Sequence, residues 1–433
     1  MSRSFIGGGL LGLAALLFAG AAPTFATYSI VACDAKTREC GVAVQTNNLA
    51  VGASVPYAQA GVGALVSQFE TNPQYGPRGL ALLAQGMSPE ATLRKLLAED
   101  GNFDGAGPEA RQVALVNVEG RAAAYTGEDA QHAEWAGALS GLGYSVQGNG
   151  LAGPKVVEAM ERSFLQTEGT LGERLMAALT AGDLAGGQKT GRESAALLVR
   201  TADGWPIDID LRVDDSSDPV GELRKLFDMQ FARQQVIQGN QFARKGQLEE
   251  ARSLLIAAVA RASTWPRIWI RAARVAETIE EPTLALQYIT VAFSQNPAWA
   301  QAEVGEGSYA EIGADPQFHR WVTAEQQQHA VAAYERLRRA NETEPQKGVQ
   351  ISRILLEAGH SKEALVVLND IPQRSDESIG LRLLRATAYA AVGDYPNAIE
   401  QCEVAVEMEP NDSRVRLRLL RLEERAGAPN TNK

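Results

Sequence analysis

The sequence predicts an α+β fold in two parts: a layered sheet-and-helix domain over residues 27–228 and an all-α solenoid over residues 229–433, behind an export signal at 1–26. Three observations predict it. Up to about residue 215, short β-rich runs alternate with helical ones. Beyond that point the apolar spacing is helical almost throughout and recurs every 34 residues. Ahead of the first strand stands an apolar run too short to span a bilayer as a stable helix.

The leader has the parts of a signal peptide: Arg3 is its one charge, Leu10 to Phe18 form its core, and small residues follow. Two cleavage sites compete. Thr24-Phe25-Ala26 would release Thr27, whereas Ala19-Gly20-Ala21 would leave Ala22 first. With Thr27 at the terminus, one residue supplies both a hydroxyl nucleophile and a free amine to act as its base. An α-amine titrates at about pH 8, so part of it is unprotonated at neutral pH. An Ala22 start locks that nitrogen in a peptide bond.

Loss of the leader removes only Arg3, taking the formal charge from −11 to −12. That balance, without Lys and Arg clusters, speaks against a nucleic-acid partner. No second apolar stretch reaches membrane-spanning length, so no membrane partner is expected once the leader is gone, and the product is expected in the periplasm or outside the cell.

Strand-like segments of the first part are Thr27 to Cys33, Cys40 to Gln45, Val62 to Phe69, Gln112 to Val118, Ala122 to Thr126, Tyr144 to Gln147, Ser194 to Arg200 and Ile207 to Val213. Helical spacing marks Gly79 to Gln85, Pro89 to Ala98, Val156 to Phe164 and Leu171 to Ala181, with Ser88-Pro89-Glu90 as a capped start. Hairpins mixed with helix pairs suggest layers rather than regular βαβ winding. The first two strands, joined by a loop from Asp34 to Glu39, put Cys33 opposite Cys40 if in register. A disulfide there suits an exported protein, and two reduced strand thiols are the alternative. Cys402 reads as core filling in a helix.

In the second part Ala251, Ala285, Ala330, Ala364 and Ala398 each open an apolar stripe continued four and seven residues on. The period matches the tetratricopeptide repeat, whose second helix needs a small residue where the helices touch. The step from 285 to 330 is longer than the others. Such repeats dock a peptide or protein partner; otherwise they pack against a neighbour or self-associate into a homo-oligomer.

The segments Thr27-Tyr28-Ser29-Ile30-Val31-Ala32, Gly41-Val42-Ala43-Val44, Asn72 to Gly79, Gln147-Gly148-Asn149, Gly191 to Ala196 and Asp210 to Asp215 occur in an order that resembles one family. It is the uncharacterised bacterial domain of unknown function 1028, placed in the N-terminal-nucleophile (Ntn) hydrolase superfamily. The resemblance covers Thr27 to about Phe227. It implies a four-layer αββα sandwich and puts the nucleophile on the first residue of the first strand, where Thr27 stands. The family's substrate is unknown, so a small amide or a peptide is as far as that expectation goes.

Asn149, ending a strand, is a candidate for offering its amide N–H to an oxyanion, or else a turn residue between glycines. Gln45 is a candidate neutral donor. Arg78, Arg192 and Ser194 are candidates for orienting a carboxylate or sharing a proton with the amine, against ordinary surface or strand-edge roles. Proteasome-like relatives use a lysine and an aspartate that this chain lacks: no lysine lies between Lys36 and Lys95, and Val44-Gln45-Thr46 carries no acid.

No cofactor is expected. Gly148-Asn149-Gly150-Leu151-Ala152-Gly153 spells a dinucleotide-binding turn, but the acid that should follow it, Glu173, falls in a helical run rather than at a strand end. His132, His319, His329 and His360 share no metal-ligand spacing, and no metal is expected. Two functions remain: an exported amidohydrolase built on Thr27, and a non-catalytic binding protein that uses the sandwich and the repeats as a scaffold.

Overall fold

The structure is a computed structural model that describes residues 26–132, 134–202, 208–313, 315–340, 344–372 and 378–427. The leader and both its cleavage motifs, apart from Ala26, lie outside the described residues. The chain divides into two compact units at Arg224/Lys225, four residues before the boundary expected at 228, within a helix that spans Pro219–Arg244.

The first unit mixes sheet and helix. A six-stranded sheet contains β1 (Thr27–Cys33), β2 (Cys40–Thr46), β7 (Trp135–Gly141), β8 (Tyr144–Leu151), β9 (Ser194–Arg200) and β10 (Ile209–Val213), in the order β10-β9-β2-β1-β8-β7. A four-stranded sheet runs β3-β4-β5-β6, from Pro56–Gln59, Gly63–Phe69, Arg111–Asn117 and Ala122–Thr126. Every ladder is antiparallel.

Helices α1 (Tyr75–Ala84) and α2 (Pro89–Ala98) pack on the four-stranded sheet. A short α3 (Glu128–Gln131) follows, and α4 (Lys155–Gln166) and α5 (Leu171–Leu184) pack on the six-stranded one. The second helix of each pair starts on a side-chain cap: Ser88 Oγ accepts from the Ala91 N–H ahead of α2, and Thr170 and Glu173 form a reciprocal capping box at α5.

The remaining faces of the two sheets meet each other. With both faces covered, β1 and β2 are buried at every residue, which is why they read as continuous runs. Val31, Val42, Val44, Val66, Ala114 and Val116 fill the layer between the sheets. Leu65, Leu83, Leu93, Leu96, Val113 and Leu115 fill the layer under α1 and α2. Cys33 pairs with Cys40 in register and is joined to it by a disulfide.

Strands β3 and β7 were not expected from sequence. Both are edge strands. The first opens on Pro56, which an edge tolerates, and the second is rich in Gly and Ala and only partly buried, so neither shows strong alternation. The last strand begins at Ile209; Ile207 lies outside the described residues.

The second unit is helical. After α6 (Pro219–Arg244) come α7 (Leu248–Arg261), α8 (Pro266–Thr278), α9 (Pro282–Gln295), α10 (Pro297–Ala302) and α11 (Pro316–His319). Then follow α12 (Ala324–Ala340), α13 (Pro345–Glu357), α14 (Ser361–Asp370), α15 (Ile379–Ala391), α16 (Tyr395–Met408) and α17 (Ser413–Gly427). Successive helices pair, α8 with α9, α13 with α14 and α15 with α16. The five repeat alanines sit on α7, α9, α12, α14 and α16, and all are fully buried, as close helix contact requires.

The long step between Ala285 and Ala330 holds α10, α11 and an irregular stretch between them. Buried carboxylates fasten that stretch: Glu357 accepts from the Gly305 and Tyr309 N–H groups at 2.7 and 3.4 Å, and Glu277 from Ile312 N–H at 3.0 Å.

Candidate functional site

Side chains alternate along β1, so Thr27, Ser29, Val31 and Cys33 point between the sheets while Tyr28, Ile30 and Ala32 point towards α4 and α5. The register carries this phase across the sheet. Thr27 lies between Asn149 on β8 and Thr46 on β2, and Ser29 lies beside Gln147. The layer between the sheets is therefore apolar around the Cys33–Cys40 end and polar around Thr27.

The polar end is a closed hydrogen-bond network. Thr27 N–H donates to Asn149 Oδ1 at 3.2 Å, and Thr27 Oγ1 lies 3.0 Å from Thr46 Oγ1. Asn149 Nδ2 donates to Gln112 Oε1 at 2.8 Å, and Gln68 Nε2 reaches the same oxygen at 2.7 Å. Gln112 Nε2 donates to Gly148 C=O at 2.9 Å. Ser29 Oγ donates to Gln68 Oε1 at 2.6 Å and accepts from Gln147 Nε2 at 2.6 Å. Asn149, Gln68, Gln112, Gln147 and Ser29 are fully buried and Thr27 is 4% exposed. Buried amides and hydroxyls are tolerated because each has partners.

None of these side chains ionises. The Thr27 nitrogen is therefore the only group in the network able to take a proton at neutral pH, and only when it is a free amine. In the described chain it is bonded to Ala26, whose carbonyl oxygen is itself held: Thr46 Oγ1 donates to it at 2.9 Å and Asn47 N–H at 3.4 Å. Two donors thus converge on a carbonyl directly beside the Thr27 hydroxyl. Such an arrangement stabilises negative charge on that oxygen.

Of the residues singled out from sequence, the structure brings Thr27 and Asn149 together. Asn149 meets Thr27 through its acceptor oxygen, while its Nδ2 serves Gln112. Gln45 is buried next to Thr46 in sequence but pairs with Tyr28, on the opposite phase of the sheet, and its Nε2 donates to Thr46 C=O at 2.9 Å. Ser194 lies beyond β2, where Oγ donates to Asn48 C=O at 2.6 Å and accepts from Val51 N–H. Arg78 is on α1, outside the four-stranded sheet, in an ion pair with Glu99. Arg192 pairs with Asp183 of α5 at 2.9 Å.

The glycine-rich string from Gly148 runs within β8 as far as Leu151, and Glu173 belongs to the α5 capping box. Among the described residues no group of three or more His, Cys, Asp or Glu is placed to hold a metal ion, and no helix is long and apolar enough to cross a membrane.

Sequence reasoning missed Thr46, Asn47, Gln68 and Gln112. A signal for the two glutamines was present. Gln68 is in phase with Ala64 and Val66, and Gln112 with Ala114 and Val116, so each is a polar break on an otherwise apolar strand face.

The model of the family of unknown function DUF1028 matches residues 27–223. A crystal structure of a DUF1028 protein from Silicibacter pomeroyi is 31% identical, over 47% of this chain and 84% of that one, with a TM-score of 0.42. YrrB, described as a tetratricopeptide-repeat protein with an unusual peptide-binding site, is 17% identical over 45% of this chain and 92% of its own, with a TM-score of 0.20. The tetratricopeptide-repeat domain of P58(IPK) is 14% identical over 63% of this chain and 80% of its own, with a TM-score of 0.19. No curated protein matches. On the family match and the shared sequence, the chain belongs to the DUF1028 family of unknown function, its matched domain followed by the paired helices of the second unit.

Proposed function

We propose that the chain is an exported Ntn-type amidohydrolase whose nucleophile is Thr27, with the helical region as an arm that docks a peptide or protein partner. The observation that carries this reading is the setting of Thr27: nitrogen on Asn149, hydroxyl on Thr46, and the preceding carbonyl held by Thr46 and the Asn47 N–H. The face-to-face sheets flanked by helix pairs agree with a four-layer αββα sandwich of Ntn type. The leader, with Arg3 ahead of Leu10 to Phe18, supports export.

In this scheme Thr27 Oγ attacks the carbonyl carbon of an amide bound beside the free amine, in the space that Ala26 leaves, and the hydroxyl proton passes to the α-amine. Thr46 and the Asn47 N–H hold the oxyanion, and Asn149 orients the amine. Collapse of the intermediate transfers the proton to the departing nitrogen and leaves an ester on Thr27. Water then attacks that ester, its proton goes to the α-amine, and the hydroxyl is restored. Mass spectrometry of the exported protein's N-terminus tests the premise: a Thr27 start is expected, and a stable Ala22 start overturns it.

One observation favours a second reading, a non-catalytic binding protein. The Thr27 network is neutral and internally satisfied, as a purely structural polar core would be. Failure of several classes of amine-activated electrophile to modify a chain that starts at Thr27 would support this reading.

A further inference from the structure

Ala26 stands one step past the last pair of the β1–β2 ladder, opposite Asn47, and both of its backbone polar groups are held. Thr46 Oγ1 and the Asn47 N–H donate to its carbonyl oxygen at 2.9 and 3.4 Å. Its own N–H donates to Asn47 Oδ1 at 3.2 Å. In a regular antiparallel pair that N–H would go to the backbone carbonyl of the opposite residue, so the Asn47 side chain has taken over a strand's role. The Asn47 Nδ2 donates to Thr190 Oγ1 at 2.9 Å, in the loop between α5 and β9, which leaves Oδ1 facing the Ala26 nitrogen. The reverse orientation of this amide would set one N–H against another.

The cradle thus holds one amino-acid residue by its carbonyl and by its N–H together. A plain acyl group has the carbonyl but no N–H on the neighbouring carbon, and would leave Asn47 Oδ1 without its donor. The side chain is limited as well. Ala26 is fully buried, so its methyl group has no solvent to extend into. Forcing a branched or aromatic side chain into a closely packed place displaces its neighbours at a cost.

We infer that the amide attacked by Thr27 is a peptide bond on the carboxyl side of a small L-residue, alanine or glycine, seated where Ala26 sits, with Asn47 Oδ1 reading the N–H of that residue. This substrate class rests on Thr27 being the nucleophile and defines the acyl half of what it cleaves. The C–N bond of the amide breaks, the acyl residue passes to Thr27 Oγ as an ester, and the amine leaves with the hydroxyl proton. One water then releases the residue as a carboxylate and restores the hydroxyl. An amide of a fatty acid, which lacks the N–H, and a peptide bond after a large residue, which exceeds the space, are both disfavoured.

The test uses the full chain prepared to begin at Thr27 and the para-nitroanilides of acetyl-alanine, acetyl-glycine, acetyl-leucine and acetyl-phenylalanine. A further anilide, of O-acetyl-lactic acid, replaces the alanyl N–H by an oxygen and keeps the methyl group. Release of nitroaniline gives kcat/KM, and a β-lactone label on Thr27, read by intact mass, reports the nucleophile separately. The alanyl and glycyl anilides are expected to exceed the leucyl and phenylalanyl ones by about ten-fold or more. The lactyl anilide is expected to fall about ten-fold below the alanyl one. Asn47→Ala keeps the backbone N–H and removes the side-chain acceptor, and is expected to shrink the alanyl-to-lactyl ratio to about two-fold or less. Preference for a large residue, equal rates for the alanyl and lactyl anilides, or a ratio that Asn47→Ala does not move overturns the substrate class. So does hydrolysis of none of the anilides by a chain that the β-lactone labels, and the nucleophile then stands without it. Absence of both labelling and hydrolysis removes the nucleophile and the substrate class together.

Discussion

Thr27 and Asn149 stand directly opposite each other across β1 and β8, and the Asn149 side-chain oxygen accepts the Thr27 N–H at 3.2 Å. A side-chain acceptor placed on that nitrogen fixes its position from the direction of β8, while Thr46 fixes the hydroxyl from the direction of β2. The nitrogen and the hydroxyl of one residue are thus held by two different strands.

Asn149→Leu removes the acceptor on Thr27 N–H and a donor on Gln112 within a fully buried network. Loss of partners for buried polar groups costs about 1–3 kcal/mol. Urea denaturation is expected to show that loss. A stability change well under 1 kcal/mol would mean that the network relaxes around the site.

Acid sensitivity is expected from the pair Asp100–Arg111. Burial alone would raise the Asp100 carboxyl, but Arg111 Nε at 3.1 Å, Tyr75 Oη at 2.5 Å and Asn72 Nδ2 at 3.1 Å together hold it below the usual range. A depressed carboxyl stabilises the fold in full above its unfolded value of about 3.9, and that contribution disappears as pH falls through the folded value. Breaking a buried pair from one side costs about 3–5 kcal/mol. Asp100→Asn is accordingly expected to lower stability at pH 7 and to flatten the acid limb of a plot of stability against pH. An unchanged acid limb would contradict this.

Glu277 has the opposite sign. Its carboxyl is raised by burial and then by Glu311, so between the unfolded value of about 4.3 and the folded one the native state keeps a proton that the unfolded state has lost. Stability contributed at this site therefore falls as pH rises. Glu277→Gln keeps an acceptor for Ile312 N–H without an ionisable proton. Thermal melts are expected to show a gain in the variant that is larger at pH 8 than at pH 5. A pH-independent difference would contradict it.

Much of the fold was legible because its central strands are long and covered on both faces. β1, β2, β5 and β9 carry enough apolar residues to declare themselves, whereas the edge strands β3 and β7 do not. The repeat alanines were legible for a similar reason: close helix contact admits only a small residue at a fixed interval. The site was half legible. Thr27 stands out by position and Asn149 by the Gln147-Gly148-Asn149 motif, which lies inside β8 rather than at a strand end, but Thr46 and Gln112 join them through strand register, which a linear sequence does not display. Arg192 and Ser194 belong to the same set of motifs as Thr27 yet serve Asp183 and the loop at Asn48.

The central claim is that the Thr27 hydroxyl is a nucleophile served by its own amine, and covalent labelling tests it most directly. A chain prepared to begin at Thr27 is treated with a β-lactone and its intact mass and modified peptide are measured. One acyl group on Thr27 Oγ is predicted, with none on Thr27→Ala and none on a chain that begins at Ala22. Equal labelling of the Ala22 chain, or no labelling of the Thr27 chain, would contradict the account.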